Sequence, residues 1–304
     1  MLIKTAKAKP CTLLLPVAAL AAVLCAVPAA HADIYVANLF GESVGDYTDS
    51  GVTVNVSLIT GLSHSSSVTV SGSDLFVTNT VDDFVGEYTT SGTTVNADLI
   101  SGSSEKGDAV VSGSDLFVTN YNFGTVGEYT TSGATVNATL ITGLNGPVGL
   151  GLSGNDLFVA NAIGNAIGEY TTSGGTINTS LISGLGYPVA IAVSGSDLFV
   201  TNEANGTIGE YTTTGGTVNA DLISGLSNPW GIAVSGSDLW VANYGNGTIG
   251  EYTTSGAVIN ASLITGLSSP EGISVTPVPE PAALGLVAIA GAGMLLLKRR
   301  RVSV

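Results

Sequence analysis

Side chains that usually carry nucleophilic or metal chemistry are scarce in this sequence, which holds only two cysteines and two histidines. Cys11, Cys25 and His31 fall within the first 32 residues, whose pattern predicts a cleaved export signal, so His64 is the one histidine expected in the mature protein. A Ser-His-Asp or Cys-His constellation would rest wholly on His64, and no base-orienting motif accompanies it. We therefore interpret His64 as a polar loop residue and predict a non-catalytic protein with no catalytic residues and no required cofactor.

Carboxylates and amides, in contrast, recur at a constant step of 41 residues. Because each regular series appears in every copy, within a strand or at its end, a structural role is favoured over a metal site. The irregular acids Asp82, Asp83 and Asp108 are the candidate metal ligands, and Ca²⁺ is the cation that suits them. The regular series are Asp46, Glu87, Glu128, Glu169, Glu210, Glu251 and Asn38, Asn79, Asn120, Asn161, Asn202, Asn243.

Large rings occupy the segments that differ most between copies. Variation within a constant scaffold is typical of binding loops, although it is equally typical of unconstrained loops. Aromatic rings on solvated loops favour binding, since such rings are normally buried. The predicted ligand-binding residues are Tyr121, Phe123, Tyr187, Trp230 and Tyr244.

The elements that must position these residues follow from the repeat. Asp33, Asp74, Asp115, Asp156, Asp197 and Asp238 each open a copy of 41 residues, and each copy holds four short apolar runs separated by Gly, Ser and Thr turns. Four strands in about 41 residues is the size of a propeller blade. We predict an all-β fold, a six-bladed β-propeller over residues 33–275.

The last apolar run, residues 270–275, is a spare copy of the strand that no residue pattern supplies before Asp33. In a closed ring this strand completes the first blade and removes an exposed edge. An open solenoid is the alternative, and it would call for polar caps at both ends. Antiparallel blades place the near-invariant Ser-Gly-Ser-Asp and Thr-Thr-Ser-Gly turns on one face, and the segments that differ on the other.

The copies resemble the NHL and YVTN propeller families, whose units run Pro-x-Gly-Ile-Ala-Val and then end a strand with Val-Ala-Asp or Val-Thr-Asn. Residues 229–234 and 241–243 carry those units here, and the resemblance spans residues 33–275. It implies a propeller fold and leaves function open. Asn replaces the NHL Asp, and Ser65 and Lys106 replace the proline in two copies, so those two blades are expected to join less regularly.

Charge excludes nucleic acid as a partner. Residues 33–277 contain 22 of the 23 acidic residues and a single lysine, Lys106, which gives this region a formal charge of −21. Such a surface repels phosphate backbones and anionic headgroups.

The N-terminus, residues 1–32, predicts a signal peptide, with lysines at positions 4, 7 and 9, an apolar run, and the small residues Ala30 and Ala32 at the cleavage site. The Sec export machinery is therefore a predicted partner. Lipid attachment at Cys25 is disfavoured, because bulky Leu24 precedes it.

The C-terminal segment, residues 276–304, combines a Pro-Glu-Pro motif, an apolar stretch over 282–297 that predicts one transmembrane helix, and a basic cluster. This arrangement resembles the PEP-CTERM sorting signal of Gram-negative bacteria that make exopolysaccharide. The resemblance implies recognition by an exosortase, transient membrane anchoring and release to the surface; a simple anchor is the alternative. The motif residues are Pro279, Glu280, Pro281, Lys298, Arg299, Arg300 and Arg301.

These features predict an exported cell-surface or extracellular-matrix protein whose propeller binds a glycan or a protein without catalysis. Two alternatives stay open. One is a metal-dependent hydrolase or lactonase-type propeller, and the other is a purely structural surface protein.

Overall fold

The computed structural model describes residues 32–102 and 106–276, and all the regular elements there are β-strands. The predicted signal peptide, sorting motif and membrane segment lie outside these residues. In the described part of the chain, no helix is long and apolar enough to cross a membrane.

Twenty-four strands form six antiparallel sheets of four, and these are the six blades that the repeat predicts. Innermost are β4 (Ser65–Ser71), β8 (Lys106–Ser112), β12 (Pro147–Ser153), β16 (Pro188–Ser194), β20 (Pro229–Ser235) and β24 (Pro270–Val275). Second are β1 (Asp33–Asn38), β5 (Asp74–Asn79), β9 (Asp115–Asn120), β13 (Asp156–Asn161), β17 (Asp197–Asn202) and β21 (Asp238–Asn243). Third are β2 (Ser43–Thr48), β6 (Phe84–Thr89), β10 (Thr125–Thr130), β14 (Ala166–Thr171), β18 (Thr207–Thr212) and β22 (Thr248–Thr253). Outermost are β3 (Thr53–Thr60), β7 (Thr94–Ser101), β11 (Thr135–Ile141), β15 (Thr176–Ser183), β19 (Thr217–Ile223) and β23 (Val258–Ile264).

Blade 1 joins the two ends of the ring. Its inner strand is β24, which pairs with β1 in the register Ile34 to Val275 and Val36 to Ile273, and β2 and β3 complete the sheet. Blades 2 to 6 follow in chain order from β4. Each inner strand packs beside the inner strands of two neighbouring blades, so the ring is closed.

The core lies between the blades. The second strands are buried on both faces, which explains their continuous Leu-Phe-Val runs. Each apolar cluster joins two adjacent blades; between blades 1 and 6, for example, Ile34 and Tyr47 pack with Trp240 and Ile249. The outer strands expose their first five residues and carry a bulge, which twists these free edges and hinders pairing with other chains.

The two copies without proline pair their inner and second strands as regularly as the others, and the link that precedes Lys106 lies outside the described residues. Ser65 lies opposite Asn79 and Lys106 opposite Asn120, in the same register as Pro188 opposite Asn202. Because the proline position faces the second strand near its end, a residue with an N–H fits there equally well.

Glycine at the third position of the inner strand in blades 4, 6 and 1 (Gly149, Gly231 and Gly272) permits close approach of the next blade. A Cβ at Gly231 would collide with the carbonyl oxygen of Glu271 on the adjacent inner strand. Gly231→Ala is therefore expected to lower the free energy of unfolding by about 3 kcal/mol or more, because the backbone cannot yield as a flexible side chain does.

Gly175→Ala is the matched control for this prediction, since Ala134 and Ala257 hold the same position in other blades. It is expected to change the free energy of unfolding by less than about 1 kcal/mol. Denaturant unfolding monitored by circular dichroism measures both effects, and equal stability of the two variants would contradict the close-packing account.

Candidate functional site

An axial cavity opens on the face that carries the variable loops. Its outer part has a volume of about 400 Å³ and its inner part about 240 Å³, and the two share five lining residues of the inner strands. We call the outer part the mouth. It is lined by Leu39, His64, Ser66, Thr80, Val81, Gly107, Tyr121, Val148, Tyr187, Trp230 and Glu271.

The second position of each inner strand, the x of Pro-x-Gly, supplies the five shared residues. This position holds Ser, Gly, Val, Val, Trp and Glu in the six blades, whereas the position before it is Pro in four of them. The scaffold therefore presents a ring of variable side chains to the axis. Around the ring these are Ser66, Gly107, Val148, Val189, Trp230 and Glu271, and all but Val189 line the mouth.

Glu271 is the buried acid of the mouth. The residue is only 6% exposed, and burial raises the pKa of its carboxyl to about 8. No hydrogen bond or ion pair joins it to any of the residues that the structure describes. Its neighbours around the axis are Trp230 of blade 6 and Ser66 of blade 2.

Two tyrosines meet at the mouth from different blades. Tyr121 follows β9 in blade 3 and Tyr187 precedes β16 in blade 5, and their hydroxyl oxygens are 3.2 Å apart. Burial, followed by the hydrogen bond to Tyr121, raises the pKa of Tyr187 to about 12. The Tyr187 hydroxyl is therefore a neutral donor and acceptor over the physiological range.

A second group of rings forms an arc over blades 6, 1 and 2. The rings of Trp230 and Tyr244 are 6.0 Å apart between centroids, and Tyr244 is 6.4 Å from Phe40. Phe40 in turn contacts His64 edge to face at 5.5 Å. These separations are those of interacting aromatic pairs, so the arc is a continuous aromatic wall.

Backbone strain marks two of these residues. His64 and Tyr187 adopt φ values of 53° and 55°, at the position that Gly146 and Asn228 occupy in other blades. The carbonyl of this residue accepts an N–H from the next loop of the same blade, as Thr80 donates to His64 at 3.1 Å. Glycine and asparagine adopt this left-handed conformation readily, whereas bulky residues do so at a cost of about 1–3 kcal/mol. Such strain points to a use for the two rings at the mouth.

The structure brings together most of the residues that the sequence singles out for binding. Tyr121, Tyr187 and Trp230 line the mouth, and Tyr244 packs on Trp230. Phe123 is 64% exposed and does not line the mouth. His64, interpreted from the sequence as a loop residue, does lie in a loop, but its ring is part of the site.

Candidate metal ligands do not converge. Asp108 lies in the inner part of the axial cavity. Its oxygens accept hydrogen bonds from Ser67 Oγ at 2.6 Å, Leu150 N–H at 3.0 Å and its neighbour Ala109 N–H at 2.8 Å. It thereby ties blades 2, 3 and 4 together. Asp82 and Asp83 lie in the loop between β5 and β6, where Asp82 accepts a hydrogen bond from the hydroxyl of Ser63. Over residues 32–102 and 106–276, no three His, Asp or Glu side chains come together as metal ligands.

Two of the six regular asparagines hold loops in place, whereas the Oδ1 atoms of the other four are buried without a hydrogen-bond partner among the described residues. Asn79 is fully buried; its Oδ1 accepts the N–H of Ser63 at 3.2 Å and its amide donates to the carbonyl of Val77 at 3.4 Å. Asn161 makes the equivalent bonds to Asn145 and Val159. This is a structural role.

No protein-family model matches the chain, and no curated protein matches it either. The chain does match solved structures. The chain is similar to a propeller in the nidogen/laminin complex, with 12% identity, a TM-score of 0.68, and coverage of 80% of this chain and 98% of that one.

Two further likenesses come from bacterial proteins. A catalytically inactive histidine-to-alanine variant of virginiamycin B lyase from Staphylococcus aureus, with quinupristin, is 19% identical at a TM-score of 0.56, covering 83% of this chain and 90% of the lyase. A protein of unknown function from Bacteroides caccae is 13% identical at a TM-score of 0.63, covering 81% of this chain and 98% of that one. At these identities the likeness establishes the fold alone: the chain is a six-bladed β-propeller with four-stranded blades.

Proposed function

We propose that this chain is an exported surface or matrix-associated protein that binds a ligand in the mouth without catalysis. One observation carries the proposal: four rings from four blades line a single cavity, and two further rings pack against them. Blade 1 supplies Phe40, blade 2 His64, blade 3 Tyr121, blade 5 Tyr187, and blade 6 supplies both Trp230 and Tyr244. A mouth of about 400 Å³ is within the size range of small-ligand sites.

The chemistry of the mouth favours a glycan or a protein segment. Tyrosine and tryptophan offer flat apolar faces together with polar edges, and such rings are enriched where proteins bind partners. An acidic polysaccharide is disfavoured, because 22 acidic residues and one lysine surround the site.

Export and sorting rest on the sequence of the two termini. The proposal assigns the Sec machinery and an exosortase as partners during biogenesis. β24 ends at Val275, on the face opposite the mouth.

Tyr187→Asn tests the proposal. Asn is the residue at the same position in blade 6, so the change relieves backbone strain while it removes the ring and its bond to Tyr121. The relief of backbone strain stabilises the variant and the loss of the ring contacts destabilises it. We therefore expect the free energy of unfolding to stay within about 1 kcal/mol of the wild-type value. Binding of a ligand identified on a glycan or peptide array is expected to fall about tenfold or more.

Phe123→Ala is the matched control, since this exposed ring lies outside the mouth, and its affinity should equal that of the wild type. Unchanged affinity in Tyr187→Asn would place the ligand elsewhere and overturn the proposal.

A catalytic function is the second candidate, favoured by one observation. His64 and Glu271 line the same cavity, and an imidazole with a carboxyl of raised pKa is a combination suited to general acid–base catalysis. Mass spectrometry of the ligand after incubation separates the two functions. An unchanged ligand supports binding alone, whereas a product that His64→Ala fails to form supports catalysis.

A further inference from the structure

Glu271 is a buried acid without an internal partner. The residue is 6% exposed and lines both parts of the axial cavity, so its carboxyl faces the space that a ligand would fill. Buried carboxyls are ordinarily paired or hydrogen-bonded, and one that is not calls for an explanation. The carboxyl oxygens of Glu271 are not among the side-chain atoms sealed from solvent in the described residues, so a group that enters the cavity can reach them.

The charges around Glu271 are mostly negative, so they do not pair with its carboxylate. Lys106 is the single basic residue between positions 33 and 276, and 22 acids share that stretch. Asp108, the other acid in the channel, has its oxygens occupied by Ser67, Ala109 and Leu150. The field at the mouth therefore attracts cations.

The walls around Glu271 are aromatic. Trp230 neighbours it on the next inner strand, and Tyr121 and Tyr187 line the same mouth. Ring faces attract an organic cation through their quadrupole, most strongly for tryptophan, and aromatic cages hold quaternary ammonium groups in this way. A bare metal ion would instead require several oxygen ligands, which Glu271 alone does not provide.

Resting on the proposed function of the mouth as a ligand site, we propose that its ligand carries an ammonium group, which pairs with the carboxylate of Glu271 and lies against the face of Trp230. A glycan ligand of this class is an amino sugar with a free amine, and a protein ligand presents a lysine or a methylated lysine. The three features that carry the proposal are the unpartnered carboxyl, the aromatic wall and the acidic surroundings.

Intrinsic fluorescence of Trp230 provides the test. Trp240 is buried at a position where four other blades hold phenylalanine, so Trp240→Phe leaves Trp230 as the sole tryptophan. The full chain with this change is titrated at pH 9, where the carboxyl of Glu271 is ionised, with choline and with its neutral isostere 3,3-dimethylbutan-1-ol. Choline is expected to give a saturable change and to bind about tenfold or more tightly than the isostere.

Two variants test whether Glu271 causes the preference for choline over the isostere. Glu271→Gln keeps the shape of the side chain and removes its charge, so choline should lose its preference over the isostere while the isostere binds as before. Glu203→Gln, which changes a half-buried acid on the same face outside the mouth, should leave both affinities within about twofold. An equal loss in both variants would show a general field effect and overturn the proposal.

Further outcomes separate this inference from the proposed function. Equal binding of choline and isostere at Trp230 would overturn the ammonium assignment and keep the mouth as a ligand site. A large gain in choline affinity in Lys106→Met would also overturn it, because Glu271 would then pair with a lysine of its own chain. If neither probe alters Trp230 fluorescence while an array ligand binds in a Tyr187-dependent way, the inference fails alone.

Discussion

Truncation of the chain after Ser269 is expected to abolish cooperative folding of the ring. The deleted part includes β24, which supplies the inner strand of blade 1 and pairs with β1. It also supplies Ile273 to the core between blades 1 and 6. Without β24, the edge of β1 is exposed and neither blade 2 nor blade 6 has an inner-strand neighbour on that side. Near-ultraviolet circular dichroism during heating measures the loss as the absence of a cooperative transition.

Truncation after Thr276 is the control, because it retains β24 and the hydrogen bond from Asp33 N–H to Thr276 Oγ1 at 2.7 Å. This chain is expected to unfold cooperatively, at the melting temperature of the full chain. If the shorter chain ending at Ser269 melted in the same way, the closing strand would not be needed for the fold.

Glu271→Gln is expected to remove a large part of the pH dependence of stability. Burial raises the pKa of this carboxyl from 4.5 to about 8, so the folded protein holds a proton that the unfolded chain releases. The stability of the wild type therefore falls as pH rises from about 4.5 to about 8, by on the order of 4 kcal/mol, and is highest below that range. Glutamine has no proton to lose, so the variant should be markedly more stable than the wild type at pH 9 and equal to it at pH 4.

Guanidinium unfolding at pH 4, 6, 7.5 and 9 measures this difference. Other buried acids contribute to the profile as well: burial raises the pKa of Asp46 to about 6 and also raises that of Asp108. Those contributions are common to both proteins, so the difference between the two curves isolates Glu271. Parallel curves would contradict the assignment of a buried, protonated carboxyl.

The 41-residue step predicts the fold well because each strand and each turn depends on local pattern, and the same pattern occurs six times. The sequence also identifies the rings of the mouth by their variation between copies. It cannot tell Tyr121 from Phe123, two residues further on, since the choice of which ring turns toward the axis depends on the loop conformation. Nor does it show that Tyr121 meets Tyr187, which is 66 residues away and two blades distant.

The sequence analysis does not single out Glu271, because this residue lies in a repeated strand motif to which the sequence assigns a structural role. A comparison of the second position of the inner strand across copies shows Glu271 as the one acid in a column of Ser, Gly, Val, Val, Trp and Glu. The role of Asp108 is beyond any such comparison. Two of its partners, Ser67 and Leu150, come from other blades, and only the closed ring brings them to its carboxylate.

The contrast between the two faces of the ring has a consequence for stoichiometry. The turns Ser-Gly-Ser-Asp and Thr-Thr-Ser-Gly recur almost unchanged around one face, which therefore offers up to six equivalent positions to any molecule that recognises them. The mouth occurs once in each chain, because the six inner strands meet around a single axis. Calorimetric titration thus locates a ligand by counting: one molecule per chain assigns it to the mouth, and a number near six assigns it to the repeated face.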